Sequence, residues 1–348
     1  MHRNLAAPIF RLPPWRCEAT YRPEELAEVV DWSLAAYHIP DQWKTTMGQG
    51  IKVAVLDTGI DAEHPDLAAA IDAQQDFTGS ALGTADRQGH GTHTAGTIAA
   101  RRNGRGIVGV APECRLLVGK VLGDDGSGSE QSVADGILWA ISSSADVVSM
   151  SLGSSMPSSV IYAAIDAACT AGKFVICAAG NDGAKPGADT VDYPARWKQT
   201  IAVAAVDEAG NMAEFSSQGP EVDIAAPGVN ILSTFLSGGY ARLSGTSMAT
   251  PFVSGVVALM LSKHRAVGGG TPLSTIDDLR THLKKTADPL GDVPDGGWGL
   301  IDPTRAIAID DAPSTPSAPS ASPSLRVPMT LVLGDQPVAG TWIFTPNA

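Results

Sequence analysis

The sequence has few basic residues and no long apolar run. Lys and Arg number 24 against 37 Asp and Glu, which leaves a formal net charge of −13. An acidic chain is repelled by nucleic acid and by anionic lipid, so neither is expected as a partner. The longest apolar stretch, Val253 to Leu261, contains Ser254 and Gly255 and falls well short of the roughly 20 residues that a membrane-spanning helix needs.

Cysteine is also scarce. The four cysteines show no metal-ligand spacing, and Cys114 and Cys177 fall in or beside strand-like runs, where a thiol behaves as a small hydrophobe. Residues 1–8 lack both the apolar core and the small-residue cleavage site of a secretion signal. We therefore expect reduced thiols and a cytoplasmic location.

Glycine, in contrast, is abundant, at 37 of 348 residues, and the chain is long enough for one large core. Strand-like runs alternate with helical ones. This alternation predicts an α/β fold in three layers, with a mainly parallel sheet covered by helices on both faces. The strand-like runs are Lys52–Leu56, Arg115–Val121, Val147–Ser151 and Phe174–Ala178, and the helical ones are His90–Ala100, Ser132–Ser142 and Val160–Ala171.

Composition divides the chain into four parts. Residues 1–30 form an N-terminal extension, in which 9–15 are extended by two prolines and a helix is expected over Pro23–Val30. Residues 31–310 form the α/β domain. Residues 311–324 are a linker rich in Pro, Ser and Ala, and residues 325–348 are a short tail with two possible strands around Gly334-Asp335.

Three residues far apart in the chain form a candidate nucleophile–base–acid set. Ser247 lies in a run of small residues just before the apolar segment Phe252–Leu261. A serine hydroxyl attacks well only when a base takes its proton. His90 lies in the run Gly-His-Gly-Thr-His, and Asp57 ends an apolar run that begins at Ile51. For Asp57 the alternative interpretation is a helix N-cap or a turn residue.

Asn181 is the fourth candidate. It follows the small residues Ala178, Ala179 and Gly180, and its amide could stabilise the oxyanion that forms when a carbonyl is attacked. The alternative interpretation is an asparagine in a glycine-rich turn.

The four segments follow one another along the chain in the order Asp57, His90, Asn181 and Ser247. With this order they resemble the subtilisin-like serine peptidases from about Trp32 to Ala308, most closely the intracellular subtilisins. The resemblance implies a serine endopeptidase in which His90 is the base and Asp57 orients it. It also implies that Asn181 and the Ser247 N–H form the oxyanion hole. His93 would be structural; with His90 it could suggest a metal site, but no third ligand follows at a recognised spacing.

The resemblance also implies how a protein or peptide substrate binds. An extended peptide would add a strand between Gly126-Ser127-Gly128 and Ser151-Leu152-Gly153, beside Ala178, Ala179 and Gly180. The alternative interpretation is that both glycine- and serine-containing segments are plain turns without a role in binding. Asp192, eleven residues after Asn181 and just before Tyr193-Pro194, falls at the base of the specificity pocket, with Asp182 on its wall. Two carboxylates there favour Lys or Arg before the scissile bond.

Calcium is a further implication. The tight site of the family corresponds to the Asp66 carboxylate, the Asn103 side chain and the carbonyls of Arg101, Arg105 and Ile107. Such hard oxygen ligands suit Ca²⁺. A weaker second site would involve Asp223 and carbonyls near Ala195 and Trp197.

The run Arg11-Leu12-Pro13-Pro14-Trp15 is similar to the N-terminal extension of the intracellular subtilisins, which lies across the active site. We therefore expect a precursor that its own extension inhibits, in cis or in trans. The alternative is a disordered leader. A homodimer, a catalytically silent binding module and an esterase remain open.

Overall fold

The structure is a computed structural model. It describes residues 9–22, 26–183, 189–267, 273–290, 297, 299–308, 325–333 and 336–344. Contacts divide the chain into two units, with the boundary after residue 310.

A seven-stranded sheet forms the centre of the first unit. Its strands are β3 (Lys52–Asp57), β4 (Ile71–Asp76), β5 (Arg115–Lys120), β7 (Val147–Met150), β8 (Phe174–Ala178), β9 (Ile201–Val206) and β10 (Ile224–Pro227). Their order is β10-β9-β8-β7-β3-β5-β4, and all neighbours are parallel. The strand order reverses at β3, which lies between β5 and β7, and in such sheets ligands bind beyond the carboxyl ends of the strands at this point.

Both faces of the sheet are covered by helices. On β3, Val53 and Val55 belong to one buried cluster with α3 (His90–Ala99) and α6 (Thr246–Val267). Ala54 and Leu56 alternate with them and belong to a second cluster with α4 (Glu130–Ser142) and α5 (Ser159–Thr170). A strand buried on both sides is apolar throughout, and the expected three-layer α/β fold is confirmed.

The described part of the first unit contains four further α-helices: α1 (Trp32–Ala36), α2 (Ile39–Gln42), α7 (Ile276–Thr286) and α8 (Pro303–Ile307). The start of α7 is fixed by a capping box between Thr275 and Asp278. Among the described residues, no helix is both long enough and apolar enough to cross a membrane.

The N-terminal extension packs on the domain as two strands. β1 (Ile9–Arg11) pairs antiparallel with β6 (Ser127–Ser129). β2 (Arg16–Tyr21) pairs antiparallel with β12 (Tyr240–Ser244), whose other neighbour is β11 (Ile231–Thr234).

The helix expected over Pro23–Val30 is wrong for residues 26–30, and 23–25 lie outside the described residues. Ala27 and Val29 form isolated bridges to Arg105 and Ile107. Val29 N–H donates to the Gly106 carbonyl at 2.8 Å, and Gly106 N–H donates to the Leu26 carbonyl at 3.1 Å. These bonds to a neighbouring loop hold the backbone extended.

In the second unit, β13 (Leu325–Leu333) and β14 (Gln336–Phe344) pair as an antiparallel hairpin. The predicted linker, residues 311–324, lies outside the described residues, as do the predicted turn Gly334-Asp335 and the last four residues of the tail.

Candidate active site

Asp57 and His90 meet at the carboxyl end of β3. Asp57 is the last residue of that strand and His90 is the first residue of α3. His90 Nδ1 lies 2.8 Å from Asp57 Oδ1 and 3.0 Å from Oδ2, and both side chains are buried. This contact fixes the imidazole orientation and leaves Nε2 directed away from the carboxylate.

The supporting residue Asp86 was missed by the sequence analysis. Its carboxylate accepts hydrogen bonds from the N–H groups of Gln88, Gly89 and Thr92 and from the hydroxyls of Thr58 and Thr92. Gly91 N–H donates to the Thr58 hydroxyl at 3.0 Å. Asp86 therefore caps α3 and ties it to the loop after Asp57. An acidic residue just before a predicted helix is the signal that could have found it.

Ser247 lies in the first turn of α6, and its hydroxyl is buried. Neither Ser247 Oγ nor His90 Nε2 has a hydrogen-bond partner among the described residues. The expected hydrogen bond between Ser247 Oγ and His90 Nε2 is therefore not formed, whereas the one between His90 and Asp57 is. Ser151, on one side of the cleft, donates from its hydroxyl to the Ser247 carbonyl at 2.9 Å.

Asn181 has its amide orientation fixed by Thr246, a second residue that the sequence analysis missed. Asn181 Oδ1 accepts from Thr246 N–H at 2.9 Å and from Thr246 Oγ1 at 2.8 Å. Its Nδ2 is therefore directed into the cleft. A Cβ added to Gly245 would lie 3.1 Å from Asn181 Nδ2 and 3.6 Å from the Ser247 nitrogen, so both expected oxyanion donors flank that glycine.

The Asn181 amide is already occupied by the chain itself. Asn181 Nδ2 donates to the Pro14 carbonyl at 2.7 Å. The next residue, Trp15, lies beside His90, with ring centroids 6.0 Å apart. The extension therefore places a main-chain carbonyl against the amide that is expected to polarise a substrate carbonyl.

Upstream of Pro14, the extension lies between the two segments expected to bind substrate. Arg11 N–H donates to the Gly153 carbonyl at 3.0 Å, and Gly153 N–H donates to the Arg11 carbonyl at 2.9 Å. Leu12 N–H donates to the Gly126 carbonyl at 3.2 Å, and Phe10 pairs with Gly128. The Phe10 side chain is fully buried, in the same cluster as Leu122 and Leu152.

Asp192 lies beneath this cleft, between its glycines. A Cβ on Gly153 would come within 3.0 Å of Asp192 Oδ2, and one on Gly180 within 2.9 Å. Asp192 N–H donates to the Ala179 carbonyl at 2.8 Å, and Asp182 N–H donates to Ser217 Oγ at 3.2 Å. Ala178, the last residue of β8, is buried under the same region.

His93 lies in the core, away from the cleft. Its Nε2 lies 3.0 Å from the Ile231 carbonyl and 3.1 Å from the Ala241 carbonyl. Complete burial lowers the pKa of His93 to about 3, so the ring is neutral and Nε2 is the donor to both carbonyls. Among the described residues, no cluster of three or more His, Cys, Asp or Glu side chains could hold a metal ion.

The residues expected to hold calcium converge at the loop after α3, away from the catalytic groups. Asp66 is buried; its Oδ1 accepts from Asn103 Nδ2 at 2.9 Å, and its Oδ2 accepts from Ile107 N–H and the Tyr240 hydroxyl. Arg101 turns its guanidinium away, to the carbonyls of Pro112 and Ala69. Asp66 and Asn103 could supply two of the expected oxygen ligands, because a carboxylate keeps spare lone pairs and a half-turn of the Asn103 amide presents its oxygen.

The second cation site expected at Asp223 does not match the observed contacts. Arg280 Nε donates to Asp223 Oδ1 at 3.1 Å, and Ala202 N–H donates to Oδ2 at 2.9 Å. The carbonyls of Ala195 and Trp197 accept from the Thr200 hydroxyl. Because a guanidinium neutralises Asp223, we place no cation there.

Comparison with known proteins gives consistent matches. Residues 48–305 match the model of the subtilase family. The chain is 43% identical over 281 residues to Subtilisin Savinase of Lederbergia lenta, covering 80% of this chain and 99% of that protein. It is 46% identical over 255 residues to a subtilisin of Bacillus pumilus, covering 73% of this chain and 90% of that protein. A thermostable alkaline protease of Halalkalibacterium halodurans is 44% identical over 282 residues, 81% of this chain and 74% of that protein.

Proposed function

The chain belongs to the subtilase family and is a serine endopeptidase, and from this premise we propose that Asp57, His90 and Ser247 are its catalytic triad. His90 Nε2 takes the proton of Ser247 Oγ, which attacks the scissile carbonyl. Asn181 Nδ2 and the Ser247 N–H hold the oxyanion. His90 then returns the proton to the leaving amine, and water hydrolyses the acyl-enzyme by the same steps.

One observation carries this assignment: Asn181 Nδ2 holds a main-chain carbonyl at 2.7 Å, next to a buried His90–Asp57 pair. The same contact supports a second part of the proposal, that the chain is an inhibited precursor like those of the intracellular subtilisins. The bound segment has no amide proton at Pro13 or Pro14, and Ser247 Oγ and His90 Nε2 make no bond to each other.

The test compares the full chain with a nicked chain, in which a cleavage site for an unrelated sequence-specific protease replaces residues 23–25. Each form carries Ser247 or Ser247→Ala, and each is assayed on casein and short peptides. We expect low activity from the full chain, high activity after nicking and dilution, and none with Ser247→Ala. Inactivity of every form would instead favour the silent binding module, and turnover of small esters alone would favour the esterase.

Substrate preference is a third part. Asp192 is enclosed between Gly153 and Gly180, and Asp182 directly follows Asn181 in the chain. We propose that these two carboxylates favour Lys or Arg before the scissile bond. Peptides that differ only at this residue (Phe, Leu, Lys or Arg) test the preference, and equal rates for all four contradict it.

We also propose that Ca²⁺ binds at the Asp66 loop, through Asp66, the Asn103 amide oxygen and the carbonyls of Arg101, Arg105 and Ile107. Asp66 and Asn103 already touch at 2.9 Å, and Glu28 accepts from Gly104 N–H at 2.7 Å on the same loop. Bound Ca²⁺ would stabilise the folded chain, because a ligand that binds only the folded state raises the free energy of unfolding. Addition of a chelator should lower the melting temperature of the Ser247→Ala chain, and the decrease should be smaller when Asp66→Asn is also present. Glu63→Gln, which changes an exposed carboxylate nearby, is the control. If the chelator leaves the melting temperature of the Ser247→Ala chain unchanged, the calcium site is contradicted.

A cytoplasmic location is proposed from the thiols. All four cysteines are free, and burial raises the pKa of Cys114 to about 12 and that of Cys169 to about 11. Such thiols are unreactive and persist without disulfide pairing. Fractionation of the cells that make the protein tests this.

A further inference from the structure

We propose that the edge of β12 (Tyr240–Ser244) that β2 now covers is a binding strip for the part of a protein substrate that follows the scissile bond. We call this edge the primed strip. It would pair with substrate residues two to seven beyond that bond. This proposal rests on the proposed peptidase function and adds a substrate class: extended polypeptide that continues well past the cleavage point.

The first argument is the path of the chain that now fills the cleft. β1 lies between the two substrate-binding segments, the Pro14 carbonyl is held by Asn181, and β2 then pairs with β12. With Pro14 at the position of the attacked carbonyl, Arg16 and Tyr21 are the second and seventh residues beyond it. One continuous polypeptide therefore already follows the whole route from β6 to β12.

The second argument concerns what is left when β2 departs. β11 covers one edge of β12, and β2 covers the other. Without β2, that edge presents a row of unpaired backbone N–H and C=O groups, which readily accept another strand. Exposed edges are commonly protected by an outward charge or a proline. The one charged residue of β12, Arg242, instead turns its guanidinium to Asp31 at 3.1 Å and to the Asn230 carbonyl at 2.8 Å.

The third argument is that the primed strip is attached to the catalytic helix. His93, three residues after His90, donates to the carbonyls of Ile231 on β11 and Ala241 on β12. The hydroxyls of Ser233 and Thr234 on β11 donate to the carbonyls of His93 and Thr92. A polypeptide paired with β12 is therefore held in a fixed position relative to His90.

Side chains of the present occupant indicate what such a substrate would carry. Trp15 packs on the buried cluster of Ile231, Ala241, Leu243 and Met248, so a large apolar residue fits directly after the scissile bond. Glu18 accepts from the Ser244 hydroxyl at 2.5 Å. Glu18 is the extra residue of a bulge opposite Arg242 and Leu243, so a regular strand would pair there without this irregularity.

The binding test uses the nicked Ser247→Ala chain and synthetic peptides. Peptide 9–22 contains β1 and β2, and peptide 9–15 ends before β2. If three or so net backbone hydrogen bonds form at the strip, 9–22 should bind at least about tenfold more tightly. N-methylation of the successive amides at 19, 20 and 21 should weaken binding at alternate positions only, because antiparallel strands pair with a period of two. Equal affinity of the two peptides, or an effect without alternation, overturns the proposal.

The turnover test uses the nicked chain with Ser247 intact. Two substrates share every residue before the scissile bond and the two after it, and one continues for five more residues. We expect the longer substrate to have a kcat/KM at least about tenfold higher. Equal hydrolysis of both contradicts the primed strip and leaves the peptidase intact, whereas hydrolysis of neither contradicts the proposed function itself. Concentration-dependent dimerisation on nicking, with equal turnover, would show instead that a second copy covers the strip.

Discussion

The amide of Asn181 donates a 2.7 Å hydrogen bond to the Pro14 carbonyl, 167 residues away in the chain. In the proposed mechanism this amide is the oxyanion donor, so the same side chain would serve turnover when the cleft is free and latency while the N-terminal segment fills it.

Asn181→Ala in the nicked chain should lower kcat by about 10²–10³, a figure measured for the equivalent donor in subtilisin itself. KM should change little, because the bond is strongest in the transition state. Peptide kinetics measure both constants. Asn211→Ala, in an exposed turn, is the control, and a variant that retains full kcat would remove Asn181 from the oxyanion hole.

Pro14→Ala in the full chain should speed loss of the extension several-fold. Alanine restores an amide N–H and frees φ at the residue whose carbonyl Asn181 holds, so the segment can approach the geometry of a substrate. Mass spectrometry of the intact chain over time measures the cleavage. The same change with Ser247→Ala should abolish it, and an unchanged rate would mean that the proline does not protect the segment.

Asp192→Asn should reduce the preference for Lys or Arg over Phe by about tenfold or more, because one charge-assisted bond is lost in a partly enclosed site. The ratio of kcat/KM values for paired peptides reports this directly. Asp166→Asn, exposed on α5, is the matched control. If Asp192→Asn leaves the ratio unchanged, Asp192 does not set specificity.

His93 should make the fold sensitive to acid. Its pKa is lowered by burial from 6.5 to about 3, so below pH 6.5 the unfolded chain binds a proton that the folded chain does not. Stability is therefore full above about pH 6.5 and falls as the pH drops towards 3, by about 2 kcal/mol at pH 5.

His93→Gln retains a donor at the position of Nε2 and cannot titrate. In the Ser247→Ala background, which prevents self-digestion, this variant should lose less stability between pH 7 and pH 5 in urea unfolding. Parallel pH profiles for the two proteins would show that His93 is not the group responsible.

Arg280→Gln should destabilise the domain by about 3 kcal/mol, because it leaves the buried Asp223 carboxylate without its cation. Burial raises the pKa of Asp223 and Arg280 opposes that shift. Combining Arg280→Gln with Asp223→Asn should recover much of the loss in urea unfolding. Additive effects of the two changes would mean that the pair is not coupled.

Local sequence patterns were sufficient to predict the strand that ends at Asp57 and the runs of small residues that contain Asn181 and Ser247. The apolar run before Asp57 forms β3, because a strand with helices on both faces needs side chains that are buried on both faces. The small residues around Ser247 and before Asn181 leave room for backbone to approach, as at Gly245 and Gly180. Other predictions from the same sequence failed: Leu26–Val30 pairs with a loop that the sequence alone could not place beside it, and Asp223 faces an arginine 57 residues away.

The sequence by itself determined the order and the chemical identity of the reactive groups, because each is embedded in a run whose composition permits only a few local conformations. Only the tertiary structure decided which groups touch. It brings Asp57 to His90, fixes Asn181 through Thr246, and lays residues 9–21 across the cleft onto β6 and β12. The strand pairings use backbone groups that every sequence possesses, so only their positions in the folded chain select the partners. The side-chain contacts join residues that lie far apart in the chain, and only the fold brings these together.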